Sequence, residues 1–268
     1  MWRSVSFNMV AAIALLFSAC DNMEYSPNQK FDKDTPSNLN AANIERLLDT
    51  PPDDTLRFIL SGDTQRGYSE TADFVEKVNR MPEIDFVLLA GDISDFGLLQ
   101  EMEWMAEIYA QLEMPYIAVV GNHDLAANGD EVFKRVFGDL NFSFVYDGYK
   151  FVCLNTNSRE ANFNGTIPDL TWLNAQMQPQ PGISGYFAVS HVSPFSIDFD
   201  KKLEIPFVYA LQQSGNCLAS LHAHDHSSGQ YSPYGNGIPF IVANAILNRE
   251  FTLIEVINGE LEATEIQY

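Results

Sequence analysis

A chain of 268 residues that is 46% hydrophobic can bury one sizeable core, so a single α/β domain is expected. The formal net charge of -21, from 15 Lys and Arg against 36 Asp and Glu, excludes nucleic acid as a partner, because binding a phosphate backbone needs clustered basic side chains. The acidity reads as a solvated face that keeps the protein in solution.

Arg3 is followed by an apolar run from Met9 to Phe17, then by Ser18 and Ala19 directly before Cys20. Such a run is too short to span a bilayer, so residues 1–19 read as an export signal. From Asp21 to Thr55 the chain is rich in Asn, Asp, Ser and Pro, and Pro27, Pro36, Pro51 and Pro52 break any long element. Residues 20–55 are therefore expected to be a polar tether. Within it Leu39, Ile44, Leu47 and Leu48 have the spacing of one short helix lying on the domain.

The domain itself is expected over 56–268. Strands at 56–62, 84–90 and 116–120 alternate with helices near 70–80, 98–112 and 130–137, which argues for crossover units and a largely parallel sheet. Two alternating runs, 141–147 and 149–155, flank Asp147-Gly148, a strong hairpin signal. A helix near 169–177, a strand at 185–190, a helix near 202–213 and a strand at 217–222 follow. Ile238 to Tyr268 reads as three strands, the last pair turned by Asn258-Gly259. Parallel units followed by hairpins suggest two stacked sheets with helices outside, and ligand loops at the carboxyl ends of the strands.

Five apolar runs stop abruptly at side chains suited to metal. They end at Gly62-Asp63-Thr64-Gln65, Gly91-Asp92-Ile93-Ser94-Asp95, Gly121-Asn122-His123-Asp124, Ser190-His191 and the His222-Ala223-His224-Asp225-His226 segment. The candidate ligands are Asp63, Gln65, Asp92, Asn122, His191 and the histidines of 222–226. Two divalent ions roughly 3.5 to 4 Å apart need one bridging carboxylate and about three further donors each, which this inventory supplies. Mixed imidazole and oxygen donors suit iron, zinc or manganese better than calcium. Cys153 and Cys217 lie in apolar strands, where a free cysteine acts as a small hydrophobe. A disulfide between them is conceivable in an oxidising compartment. Phe142, Phe144 and Tyr146 alternate as a buried sheet face would.

From about Leu56 to Tyr268 the chain resembles the calcineurin-like metallophosphoesterase family. Gly91-Asp92-Ile93-Ser94-Asp95 and Gly121-Asn122-His123-Asp124 match that family's Gly-Asp-x-x-Asp and Gly-Asn-His-Asp/Glu motifs in full. Two departures stand out. Gln65 occupies a usual histidine position, and an amide oxygen is a weaker donor than imidazole. The Gly-His-x-His motif is altered, so that His222 with His224 competes with His224 with His226. Ala223 fits a turn packed on a metal site better than Leu221, which favours the second register and leaves His222 as a group behind the ligands or in the core.

The resemblance implies a four-layer α/β sandwich of two stacked mixed β-sheets flanked by helices. It implies Asp63, Gln65, Asp92 and His226 around one divalent metal ion and Asp92, Asn122, His191 and His224 around a second, with Asp92 bridging. It further implies hydrolysis of a small-molecule phosphate mono- or diester by a hydroxide between the metals, with His123 as general acid and Asp95 orienting its ring. Arg66 is a weaker candidate for substrate phosphate. No large insertion separates the motifs, so an open groove is expected. The alternative is a non-catalytic surface lipoprotein that keeps the fold and binds metal or a phosphorylated ligand, a role for which His123 and Asp95 would not be required. The Leu16-Phe17-Ser18-Ala19-Cys20 ending resembles a bacterial lipobox, with Phe17 departing from the usual aliphatic residue. That implies a lipid anchor at Cys20 and an exported, membrane-anchored protein facing the periplasm or cell surface.

Overall fold

The computed structural model describes residues 30–52 and 55–268; the segment expected to be an export signal and Cys20 lie outside the described residues. Among the described residues no helix is long and apolar enough to cross a membrane. In chain order the elements are α1 (Leu39–Leu48), β1 (Thr55–Ser61), α2 (Tyr68–Asn79), β2 (Phe86–Leu89), α3 (Leu99–Tyr109), β3 (Tyr116–Ala118) and α4 (Gly129–Val136). Then come β4 (Phe142–Tyr146), β5 (Tyr149–Cys153), α5 (Leu170–Gln176), β6 (Gly185–Val189), α6 (Glu204–Gln212) and β7 (Cys217–His222). The chain closes with β8 (Gly229–Tyr231), β9 (Phe240–Val242), β10 (Glu250–Ile257) and β11 (Glu260–Gln267).

Two mixed sheets result, one in the order β11-β10-β1-β2-β3 and one in the order β4-β5-β6-β7-β9-β8. Strands β1, β2 and β3 run parallel, as do β5, β6, β7 and β9. The hairpin partners β4, β10, β11 and β8 pair antiparallel on the flanks. Asp147 and Gly148 both hold positive φ, 48° and 75°, as the tight turn between β4 and β5 requires. The short strand β8 has no alternating apolar run in the sequence and was not expected.

The central strands are apolar on both faces because both faces are covered. On β1, Leu56, Phe58 and Leu60 point into the space between the sheets, while Ile59 points outward under the helices. Between the sheets Phe58 stacks on Phe86 with centroids 5.1 Å apart, and Phe151 stacks on Phe187 at 4.9 Å. The two stacks meet edge to face where Phe58 approaches Phe151 at 5.4 Å, a favoured aromatic geometry. On the outer side of the first sheet, α2 buries Thr71, Phe74, Val75 and Val78, the one-face spacing of an amphipathic helix. Helices α5 and α6 cover the outer face of the second sheet, where Leu173, Phe207 and Leu211 meet Val152, Tyr186 and Ala188.

Helix α1 is present where the leucine spacing placed it, with Leu47 fully buried, but Leu48 points outward and is 59% exposed. Ile44 and Leu39 are half-buried against the core, and the helix's other buried residues are asparagines. Asn40 Nδ2 donates to the Ala118 carbonyl at 2.8 Å, and the Ala118 amide donates to Asn40 Oδ1 at 2.8 Å. The Tyr116 amide donates to Asn43 Oδ1 at 3.4 Å. These side chains imitate a neighbouring strand along the open edge of β3, which would otherwise present unpaired backbone groups. The asparagines that made this stretch look like a linker are thus what fastens it.

Cys153 and Cys217 are free thiols, on strands separated by β6. Phe144 and Tyr146 are buried as their alternation suggested, while Phe142 is half-buried.

Candidate metal centre

The candidate ligands stand on loops at the carboxyl ends of β1, β2, β3, β6 and β7, at one end of the two sheets. Crowding at that end is extreme. A Cβ on Gly121 would lie 2.1 Å from both the amide nitrogen and Oδ1 of Asp92, and a Cβ on Gly91 would lie 2.7 Å from His191 Nδ1. Each glycine therefore lets one strand end press against a ligand of another. The ligands themselves carry unusual backbone: Asp63, Gln65, Asp92, His224 and His226 all hold φ between 41° and 75°. Such left-handed residues persist where the surrounding structure over-determines them, and they cluster at ligand and active sites.

Asp63, Asp92 and His191 are buried, and one ligand atom from each lies within 4.8 Å of the others. His191 donates Nδ1–H to the Ala90 carbonyl at 2.7 Å, which turns Nε2 inward to lie 3.3 Å from Asp92 Oδ2 and 3.0 Å from Asn122 Oδ1. His224 Nδ1 also meets Asn122 Oδ1 at 3.0 Å and His191 Nε2 at 3.2 Å. On the other side, His226 Nε2 stands 3.4 Å from Asp63 Oδ1, and Gln65 Nε2 donates to Asp92 Oδ2 at 3.3 Å. Asp92 Oδ2 thus lies between two groups of donors. Asp92 Oδ1 is taken by the His123 amide at 2.9 Å.

Burial alone would raise the Asp92 carboxyl, but the His191 charge and hydrogen bond outweigh it and hold that carboxyl below the usual range. His191 is drawn up by Asp92 and Asp63 against burial, which would lower it. Asp63 Oδ2 accepts the His224 amide at 2.9 Å, whereas its Oδ1 is buried with no hydrogen bond. A buried carboxylate oxygen without a hydrogen bond is costly, and the imidazole nitrogens of His226 and His191 stand 3.4 and 4.0 Å from this one. The donor set of two carboxylates, three imidazoles and two amides therefore fits a pair of divalent cations.

His123 stands at the rim, its side chain 40% exposed. Its Nδ1 lies 2.8 Å from the main-chain carbonyl of Asp95 and 3.6 Å from that residue's carboxylate, so the carbonyl, and not the side chain, is in hydrogen-bond range. The Asp95 carboxylate pairs with Arg66, whose guanidinium lies 5.9 Å over the Phe96 ring. Asp124 is structural: it accepts from the Ile93, Ser94 and Gly121 amides and from the Ser94 hydroxyl, tying the second and third strand ends together. His222 points away from the centre, held between Ser190 Oγ and Ser220 Oγ at 3.1 and 2.8 Å and stacked on Phe240. Asp198 was not anticipated. Its Oδ2 lies 2.9 Å from His224 Nε2 and its Oδ1 pairs with Arg159. No motif flags it, because Asp198 and Arg159 sit in separate irregular loops with no fixed spacing to His224.

Residues 56–228 match the calcineurin-like phosphoesterase family. A 3',5'-cyclic-nucleotide phosphodiesterase of Nostoc sp. is 26% identical over 147 residues, 52% of this chain and 55% of the relative, so the chain spans about half the length of that protein. A human serine/threonine-protein phosphatase is 25% identical over 261 residues, 75% of this chain and 81% of the relative. Among solved structures, a dimetal phosphatase from Danio rerio superposes with a TM-score of 0.60 at 15% identity, covering 81% of this chain and all of that one. At such identity the likeness shows the fold alone. With a matched family span that covers all five strand ends, the chain belongs to the calcineurin-like phosphoesterases.

Proposed function

We propose that the protein is a dimetal-dependent hydrolase of small phosphate mono- or diesters. The observation that carries this reading is the buried Asp63–Asp92–His191 group, completed by Asn122, His224 and His226 and containing a carboxylate oxygen with no hydrogen bond. The names of the relatives, phosphodiesterases and phosphatases, point to the same chemistry.

Asp63, Gln65, Asp92 and His226 would hold one cation and Asp92, Asn122, His191 and His224 the other. Such a pair supplies positive charge against the phosphoryl oxygens and makes a water acidic enough to attack near neutral pH. This chain's own residues do the rest. Asp92 is shared by both donor groups and is fixed by the His123 amide. His123, with Nδ1 directed at the Asp95 carbonyl, has Nε2 left to give a proton to the departing oxygen. Arg66 lies beside His123 through their common neighbour Asp95 and is 69% exposed, placed to meet the anionic end of a substrate.

The test is turnover of bis-para-nitrophenyl phosphate and para-nitrophenyl phosphate with added Mn2+, against protein stripped by chelator. Metal-dependent turnover that disappears in Asp92→Asn is expected, and no turnover of either ester with metal bound would refute the reading. Export and lipid anchoring at Cys20 belong to the same proposal. They are tested by labelling cells with a radioactive fatty acid, where wild type should incorporate label and Cys20→Ala should not.

A further inference from the structure

We infer that Asp198 is a positioning residue of the metal centre: its carboxylate fixes the direction of the His224 ring and thereby sets how tightly one of the two cations is held. Arg159 keeps Asp198 in place. The inference rests on the reading that His224 is a ligand.

His224 Nδ1 is turned towards Asn122 Oδ1 and His191 Nε2, while Nε2 lies 2.9 Å from Asp198 Oδ2. A carboxylate only accepts, so the ring hydrogen sits on Nε2 and the lone pair is left on Nδ1, facing the other donors. His191 uses the opposite arrangement, Nδ1–H to the neutral Ala90 carbonyl and Nε2 inward. Of these two rings, the one on the 222–226 segment is thus held by a charged acceptor and the other by a neutral one. A carboxylate on the far nitrogen both orients an imidazole and makes it a stronger donor to a metal.

The His224 backbone is left-handed, with φ of 75°, a conformation that persists only where surrounding contacts give it a hold. Asp198 is well placed to give it. It is 8% exposed, and each of its carboxylate oxygens has one partner, Oδ1 to Arg159 and Oδ2 to His224. Its amide donates to Ser196 Oγ at 3.2 Å, and the next residue, Phe199, is buried against Phe207 of α6 with ring centroids 5.5 Å apart. The same loop begins at His191, so one segment supplies a ligand and the group that aims another. Arg159 comes from the loop after β5 and is half-exposed, its charge directed at the carboxylate oxygen that His224 does not use.

A salt bridge that only stiffened the loop would be lost equally in the Asp198 and Arg159 variants, whereas a group that aims His224 makes the Asp198 variants the weaker binders, so equal losses in the two would refute the positioning role. The purified protein, freed of metal, is titrated with Co2+ by visible absorption and calorimetry, which count and rank the two equivalents. Asp198→Asn and Asp198→Ala are expected to weaken one equivalent by about 10- to 100-fold, Ala at least as much as Asn, and to leave the other within about threefold. His224→Ala should abolish that same equivalent. Arg159→Gln, which leaves the ring and its acceptor in place, should weaken it less and keeps the test open if an Asp198 variant folds poorly. If His224→Ala removes one equivalent while the Asp198 variants change neither, or weaken both equally, the positioning role is wrong and the metal centre stands. If His224→Ala leaves both equivalents intact, His224 is no ligand and the inference falls with that assignment.

Discussion

Replacing Gly121 by Ala adds a single methyl group to the motif and puts it where the structure has no room. The new Cβ would stand 2.1 Å from the Asp92 amide nitrogen and 2.1 Å from Asp92 Oδ1, whereas ordinary contact begins near 3.4 Å. The loops after β2 and β3 must therefore part by more than 1 Å. Both atoms that clash belong to the residue lying between the two donor groups, and backbone cannot swing aside as a flexible side chain can. A misplacement of about 1 Å at a reacting centre costs on the order of 100-fold in rate, equivalent to about 2.7 kcal/mol of transition-state stabilisation. The assay is kcat/KM for bis-para-nitrophenyl phosphate, with metal content and circular dichroism measured on the same preparation. A folded variant with Asp92 displaced should lose on the order of 100-fold in kcat/KM and hold its cations more weakly. Full metal content together with kcat/KM within about threefold of wild type would show that the Gly121–Asp92 contact does not set the centre's geometry.

His123→Asn should lower turnover by about 100- to 10,000-fold while both cations stay bound, because His123 meets the centre only through its amide; metal analysis beside kinetics checks it, and unchanged turnover removes His123 from the reaction. Asn40→Ala strips partners from both the amide and the carbonyl of fully buried Ala118 and should cost about 2 to 5 kcal/mol in urea unfolding. A loss below about 0.5 kcal/mol would mean that α1 does not secure the β3 edge. Burial first, and the charge of His191 second, push His222 down to about 3, below the value near 6.5 that it takes in an unfolded chain. The neutral folded form therefore contributes its full stability above about pH 6.5 and loses it as pH falls towards 3, by up to about 1.4 kcal/mol per unit. His222→Gln should flatten that acid limb in metal-free protein, and an identical slope in both proteins would contradict it.

The strand ends were legible because an apolar run that stops at Gly-Asp or Gly-Asn-His has no packing reason to do so. The paired sheets were legible from the alternation of elements, and Asp147-Gly148 marked its hairpin. Other features were not, for physical reasons. Asp63, Gln65, Asp92, His224 and His226 adopt left-handed backbone, which aspartate and histidine tolerate more often than most residues but which only their tertiary surroundings impose. The group holding His123 is a main-chain carbonyl, which no side-chain pattern encodes. Asp198 meets His224 only because the loop after β6 folds back over the end of β7. Asn40 and Asn43 read as linker composition, yet they act as strand mimics, a role set by their position on a helix beside an open sheet edge. Strand β8 is three residues long and borrows its order from β9.

The proposed hydrolysis requires two cations at the meeting of the five strand ends, and their number in the isolated protein decides it. Elemental analysis of protein reconstituted with Mn2+ and freed of excess should give about two ions per chain, falling in Asp63→Asn and Asp92→Asn. A wild-type protein that holds no stoichiometric metal, or whose metal content is the same in both variants, would contradict it.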